Sequence, residues 1–198
     1  GLLQTYSELA KFRLGSLVVF TTSTGFIIAS GSIFCDKMDW GKCAWVSVGT
    51  AFLVGAANTL NQVIERNRDK IMARTMLRPL AQLRIGVPHA IGFAVACTAI
   101  GGVILHTHAN ALTLSLGLSN VCLYAFIYTP MKMMHPLNTW VGAVVGAIPP
   151  MMGSAAALPG SPSLSDLKAD AWLTGSMLFL WQMPHFLALS YFIKTAYA

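Results

Sequence analysis

Long apolar runs separated by short polar stretches make up this chain, and the runs set its expected elements. Six spans are predicted, at about 14–34, 43–64, 88–106, 110–128, 138–158 and 171–193. Each is long enough to cross ~30 Å of hydrocarbon as a helix. Residues 1–13 read as an amphipathic lead-in with Lys11 and Arg13 at the membrane edge. Pro88 suits the first turn of the third span. Pro149 and Pro150 fall inside the fifth span and Pro184 inside the sixth. Proline removes a helix hydrogen bond and bends the axis. In a bilayer such a break survives only where protein or a cavity covers it, so the bent helices are expected to open a pocket. Gly142 and Gly146 form a GxxxG, which predicts close helix approach. Trp181, Gln182 and His185 then fall together in the sixth span, and an intramembrane histidine is costly enough to suggest a role.

Composition agrees with the pattern. Of 198 residues, 55% are hydrophobic and 10% charged, and the mean hydropathy is +0.62. A soluble domain carries nearer 25% charged residues. The expectation is an all-α polytopic membrane protein. The net charge of +6 does not indicate a nucleic-acid surface, because the basic residues lie in interhelical loops. With the N-terminus inside, ten of the thirteen basic residues are inside, and only Lys37, Lys42 and Lys168 fall outside. Cys97 and Cys122 read as buried small residues, and a Cys35–Cys43 pairing is not expected. The abrupt opening at Gly1 suggests that a targeting presequence has been removed.

Charge is concentrated in one stretch, 58–84, which holds eight of the chain's twenty charged residues. Asn61, Glu65 and Asp69 are spaced four apart. Each lies about 40° beyond the last, so all three share one helix face. One amide and two carboxylates at the end of an apolar helix suit a hard cation. Lys70, Arg74, Arg78 and Arg84 follow as a cationic set suited to phosphate oxygens. A divalent metal with guanidinium groups is what a diphosphate needs to bind and to leave. A solvated helix end with ordinary charge pairs is the plainer reading of the same spacing.

The motif Asn61-x-x-x-Glu65-x-x-x-Asp69 resembles the first acidic motif of the UbiA-type intramembrane prenyltransferases. Arg74-Thr75-x-x-Arg78-Pro79-Leu80, Tyr128-Thr129-Pro130-x-Lys132, the run NTWVGAVVGAIPPMMG and the segment WQMPHFLALSY narrow the resemblance to the protohaem IX farnesyltransferases. Met76-Leu77 and VPHA look closest to plant and algal mitochondrial members. The resemblance implies a UbiA-type helical bundle of nine helices, six of them in this chain, as a single domain over 1–198. It implies magnesium bridging the protein to farnesyl diphosphate, with haem b as acceptor substrate and haem O as product. Haem A synthase or oxidase assembly factors are the implied protein partners. The implied place is the mitochondrial inner membrane with the 65–84 loop on the matrix side, or the plasma membrane of a bacterium.

Residue by residue, the resemblance assigns metal and diphosphate contacts to Asn61, Glu65 and Asp69. It assigns diphosphate contacts to Arg74, Arg78 and Lys132, beside Lys70 of the charged stretch. His185 is implied at the haem or its reacting vinyl group, with Trp181. Asn138 and Trp140 either line the same side or serve as helix cap and interface anchor; Phe179 and Phe186 are pocket or packing. The sequence departs from the family at its end, where Ala196 before Tyr197 stands in place of the Asp that opens a second acidic motif. The three remaining helices are expected beyond it. Ala81-Gln82-Leu83 also lacks the family's usual glycine turn. Two further readings stay open: a related prenyltransferase with a quinone-ring or chlorophyll-type acceptor, and a catalytically silent membrane subunit.

Overall fold

The computed structural model describes residues 2–31, 38–132 and 134–192. Its elements run in order as α1 (Leu2–Ala10), α2 (Phe12–Ala29), α3 (Trp40–Asp69), α4 (Val87–His108), α5 (Ala111–Cys122), a π-helical turn (Leu123–Tyr128), α6 (Thr129–Met131), α7 (Asn138–Ala157), a 3₁₀ turn (Leu164–Asp166) and α8 (Ala169–Phe192). From α5 through the π turn to α6 the chain runs as one continuous span, Ala111–Met131. Among the described residues there are no strands.

Among the described residues, five helices are long and apolar enough to cross a membrane: α2, α3, α4, α5–α6 and α7. The sixth predicted span is α8. It has the length, 24 residues, but it carries Gln182, Pro184 and His185 and is not among the five. The first span is shorter than expected and ends at Ala29; the rest of its predicted range falls partly outside the described residues. The second is longer, because α3 runs unbroken for 30 residues and carries the acidic stripe within its last turns. Lys37, Cys35, Lys194, Ala196 and Tyr197 lie outside the described residues, and with them the Cys35–Cys43 pairing and the altered second motif.

Local chemistry sets the helix ends. Asp39 accepts from the Lys42 N–H at the start of α3, and Asn110 accepts from the Thr113 N–H at the start of α5. Both are side-chain caps for otherwise orphaned donors. Asn110 Nδ2 also donates to the Ala155 carbonyl, which ties α5 to the end of α7. Leu158 follows in an extended conformation and stops α7.

The core is small-residue packing around α3 and α7. Phe26, Val46, Leu53, Leu105 and Met152 form its fully buried centre. Helices do come close at Gly142 and Gly146, as the GxxxG suggests, but backbone meets backbone most tightly between α2 and α7. A Cβ on Gly25 would collide with the Pro150 carbonyl, and one on Gly153 with the Thr22 carbonyl. Ser154 Oγ donates to the Gly25 carbonyl at 3.2 Å across the same seam. Gly142 and Gly146 instead make room for side chains: Tyr128 and Phe186 stand against the first, and Gln182 against the second. The α7 face turned toward α2 carries residues 150, 153 and 154, about one to two turns beyond Gly146. Cys122 is exposed, in contrast to its expected burial, while Cys97 is buried.

Outside the helices, the 70–86 segment folds back over the end of α3. Leu80 is buried with Leu9 of α1 and Ala90 of α4. Leu83 takes φ 58, the left-handed region that glycine favours. A leucine holds this left-handed turn at about 1–2 kcal/mol of backbone cost.

Candidate functional site

The acidic stripe of α3 lies at the end of the bundle where four separate segments meet. Asn61 is fully buried and Asp69 is 3% exposed. Asp69 holds Arg78 Nη1 with both carboxylate oxygens, at 2.7 and 2.8 Å. Glu65 takes Arg78 Nη1 at 3.4 Å on one oxygen and Lys132 Nζ at 3.2 Å on the other. Lys132 also stands over the Tyr128 ring at 4.8 Å. Asn61 accepts from Lys11 Nζ at 2.7 Å and donates to Thr129 Oγ1 at 3.1 Å. Three basic side chains thus surround two carboxylates, for a net charge of about +1 when Lys11 is protonated.

Lys11 comes from the junction of α1 and α2 and was legible only as a membrane-edge residue. It sits at φ 49, another left-handed residue that is not glycine. Burial, and then the charges of Arg78 and Lys132, pull its ammonium down to about 7. Its backbone position is fixed from α3. Gln62 Nε2 donates to the carbonyls of Glu8 and Leu9, and Asn58 Nδ2 donates to that of Ala10. Those are three of the last four carbonyls of α1, groups that a helix leaves without intrahelical partners. Two side-chain amides of α3 therefore cap α1, and a third, Asn61, receives the lysine that follows it.

Lys132 and Thr129 are aimed by the π turn. One extra residue in the turn before Pro130 frees the Tyr124 carbonyl, which takes the Thr129 N–H and the Thr129 hydroxyl at 2.7 Å. Such turns insert a residue into an α-helix and recur at functional sites. Here the insertion faces Thr129 to Asn61 and Lys132 to Glu65.

Beneath the acidic stripe lies an apolar cavity of about 610 Å³ walled by α2, α3, α5, α7 and α8. Asn58, one turn from Asn61, forms part of its wall, and so do Trp181 and His185, whose rings stack at 4.8 Å. Val145, Gly146 and Pro149 line it as well. Pro149 and Pro150 cannot donate to the carbonyls four residues earlier, so the bonds missing from α7 fall in the cavity wall. Among the described residues, Thr50 Oγ1 and Asn120 Oδ1 of this wall are buried without hydrogen-bond partners.

Not every predicted site residue joins this arrangement. Arg74 is exposed and lines a second, polar recess of about 580 Å³ that shares Lys11 and Arg78 with the site. Arg84 lines it too and pairs with Glu8. Lys70 is exposed at the C-cap of α3 and lines neither space. Asn138 is the first residue of α7, where Leu137 occupies the cap position; its carboxamide oxygen accepts from Thr139 Oγ1 at 3.4 Å. Trp140 is exposed and tilts against Phe179 at 6.0 Å, outside the cavity. Phe186 packs at Gly142 beside His185.

The oxygens of Asn61, Glu65 and Asp69 are hard donors of the kind magnesium takes. No trio of His, Cys, Asp and Glu among the described residues converges to hold a metal unaided. Magnesium normally completes its shell with water and substrate phosphates and needs only one or two carboxylates. The donor set fits that mode.

The profile of the UbiA prenyltransferase family matches residues 18–196. The chain is 42% identical over 98% of its length to the mitochondrial protoheme IX farnesyltransferase of Arabidopsis thaliana, covering 43% of that protein. It is 44% identical over 97% of its length to the one of Homo sapiens, covering 41% of it. To the protoheme IX farnesyltransferase of Christiangramia forsetii it is 37% identical over its full length, covering 62% of that protein. The chain thus spans less than half of the two mitochondrial relatives. Among solved structures, a UbiA homolog from Aeropyrum pernix K1 superposes with a TM-score of 0.74 over 90% of this chain and 64% of its own, at 19% identity. A UbiA homolog from Archaeoglobus fulgidus bound to DMAPP and Mg2+ gives 0.70 over 97% of this chain and 66% of its own, at 14% identity. These two likenesses concern the fold.

Proposed function

The chain belongs to the UbiA prenyltransferase family, and on that footing we propose that it transfers the farnesyl group of farnesyl diphosphate to a vinyl group of haem b, giving haem O. The observation that carries this reading is the acidic stripe, ringed by Lys11, Arg78 and Lys132, directly over an apolar cavity. A headgroup of high negative charge and an isoprenoid tail need those two surroundings side by side. The names of the curated relatives point to the same substrates.

Arg78 and Lys132 exchange their carboxylates for phosphate oxygens when the diphosphate arrives. Glu65 and Asp69, with Asn61, are then free to hold magnesium, which when bound neutralises the diphosphate and helps it leave. Breaking the bond from farnesyl C1 to oxygen leaves the electron pair on the diphosphate, where the three cations stabilise the developing charge. The vinyl π electrons close the new C–C bond to C1. Water then adds to the resulting cation and loses a proton. Apolar walls keep water from C1 before the vinyl group reacts. His185 and Trp181 lie on the wall proposed to face the acceptor. The proposed setting is the mitochondrial inner membrane, with the cationic end toward the matrix and haem A synthase or oxidase assembly factors as protein partners.

The test uses the protein in nanodiscs with haem b, farnesyl diphosphate and magnesium. Mass spectrometry should find haem carrying farnesyl plus one water, absent with a chelator and absent in Asp69→Asn. Haem bound but unmodified, with the diphosphate intact, overturns the reading in favour of a catalytically silent haem-holding subunit.

A further inference from the structure

We infer that the cavity measures its isoprenoid: a floor built where Leu53 and Met152 close over Gly117 stops a chain at three isoprene units. This rests on the diphosphate reading above and adds a chain-length rule to it.

The α3 residues lining the cavity, Thr50, Leu53, Val54, Ala57 and Asn58, form one stripe that leads away from Asn61. At about 1.5 Å of rise per residue, Leu53 lies ~12 Å and Thr50 ~16 Å beyond Asn61. A fully extended chain advances about 1.2 Å per bond. By that measure the main chains of geranyl, farnesyl and geranylgeranyl groups reach roughly 8, 13 and 18 Å. The first falls short of Leu53, the second ends between Leu53 and Thr50, and the third overruns Thr50, the deepest α3 residue of the wall.

The floor has a specific construction. Gly117 of α5 lines the cavity, and a Cβ there would lie 2.6 Å from Leu53 Cδ1 and 3.0 Å from Met152 Cε. Its lack of a side chain lets both side chains come up against the α5 backbone there. Both are only 2% exposed, and Leu105, fully buried, backs them from α4, standing 2.8 Å from where a Cβ on Gly49 would be. The blocking atoms are side-chain ends, so substitution moves the floor without moving a backbone.

The experiment measures binding of geranyl, farnesyl and geranylgeranyl diphosphate to the protein in nanodiscs with magnesium, and release of diphosphate from each. Wild type should favour the farnesyl compound. Met152→Ala deepens the space and should raise the geranylgeranyl compound roughly tenfold relative to farnesyl. Leu53→Val, a smaller change, should move the ratio the same way. Gly117→Ala pushes Leu53 and Met152 inward and should depress farnesyl while sparing geranyl. An unchanged ranking in all three variants, or a wild type indifferent to length, overturns the inference with the diphosphate site intact. If none of the three compounds binds wild type, the diphosphate reading itself falls.

Discussion

Arg78 and Asp69 form a pair whose two halves should be unequal in stability. The Asp69 side chain is 4% exposed and holds Arg78 with both oxygens, while Arg78 is 22% exposed and reaches Glu65 as well. Arg78→Gln strands a buried carboxylate beside Glu65, and breaking a buried pair in that way costs about 3–5 kcal/mol. The partial exposure of Arg78 argues for the lower end, about 3 kcal/mol. Asp69→Asn leaves the guanidinium with Glu65 and an open face, and its amide oxygen still accepts. The loss is then that of one charge-assisted contact, about 1.5 kcal/mol. For a chain of this size 1 kcal/mol shifts the midpoint by ~2–4 °C. Arg78→Gln should therefore lower the apparent midpoint by about 6–12 °C and Asp69→Asn by about 3–6 °C. Tryptophan fluorescence of the detergent-solubilised protein during heating reads both. Equal losses, or a larger one in Asp69→Asn, would refute the assignment of Arg78 as the shared counter-ion.

Four other outcomes follow from the same geometry. Lys11→Met removes one of three cations and should weaken binding of farnesyl diphosphate at least tenfold, by about 1.4 kcal/mol, in a titration that leaves haem binding unchanged. Gly153→Ala or Gly25→Ala drives a methyl into an α2–α7 backbone carbonyl and should cost about 1–3 kcal/mol in thermal stability, whereas Gly92→Ala, facing open space, should cost nothing measurable. Leu83→Gly relieves the left-handed strain at φ 58 and should raise stability by about 0.5–1 kcal/mol after the entropy of glycine is subtracted. The hydrogen bond from Arg84 holds the Glu8 carboxyl below its ordinary 4.5; its stabilising effect is full above that value and fades as pH falls through the lowered one, so acid should loosen α1, seen as faster proteolysis at its start, and Glu8→Gln should erase that pH step.

The acidic stripe could be read from the sequence because its spacing is local: one helix, one face, four residues per step. The spans could be read for the same reason. Lys11 could not, since its meeting with Asn61 depends on a left-handed residue and on a partner fifty positions away. The role of Thr129 was hidden by the π turn, which no pattern of apolar positions reports. Gly142 and Gly146 misled because a small-residue motif says only that something comes close. Which partner does so depends on the phase of α7 against α2 and α8, and here it is rings and an amide rather than backbone. Lys70 lies at the C-cap, just past the last turn of α3, which places it apart from the stripe that its sequence position adjoins.

The three cations of the site come from three places: the α1–α2 junction, the segment after α3, and the end of α6. No helical hairpin contains more than part of the set. A half-inserted chain leaving the translocation machinery would carry the carboxylates of α3 long before Lys132 could reach them. Ionising an allylic diphosphate in a bilayer is hazardous, since a stray carbocation alkylates whatever lies nearest. On the proposed reading, dividing the diphosphate site among distant segments makes that chemistry conditional on a finished bundle.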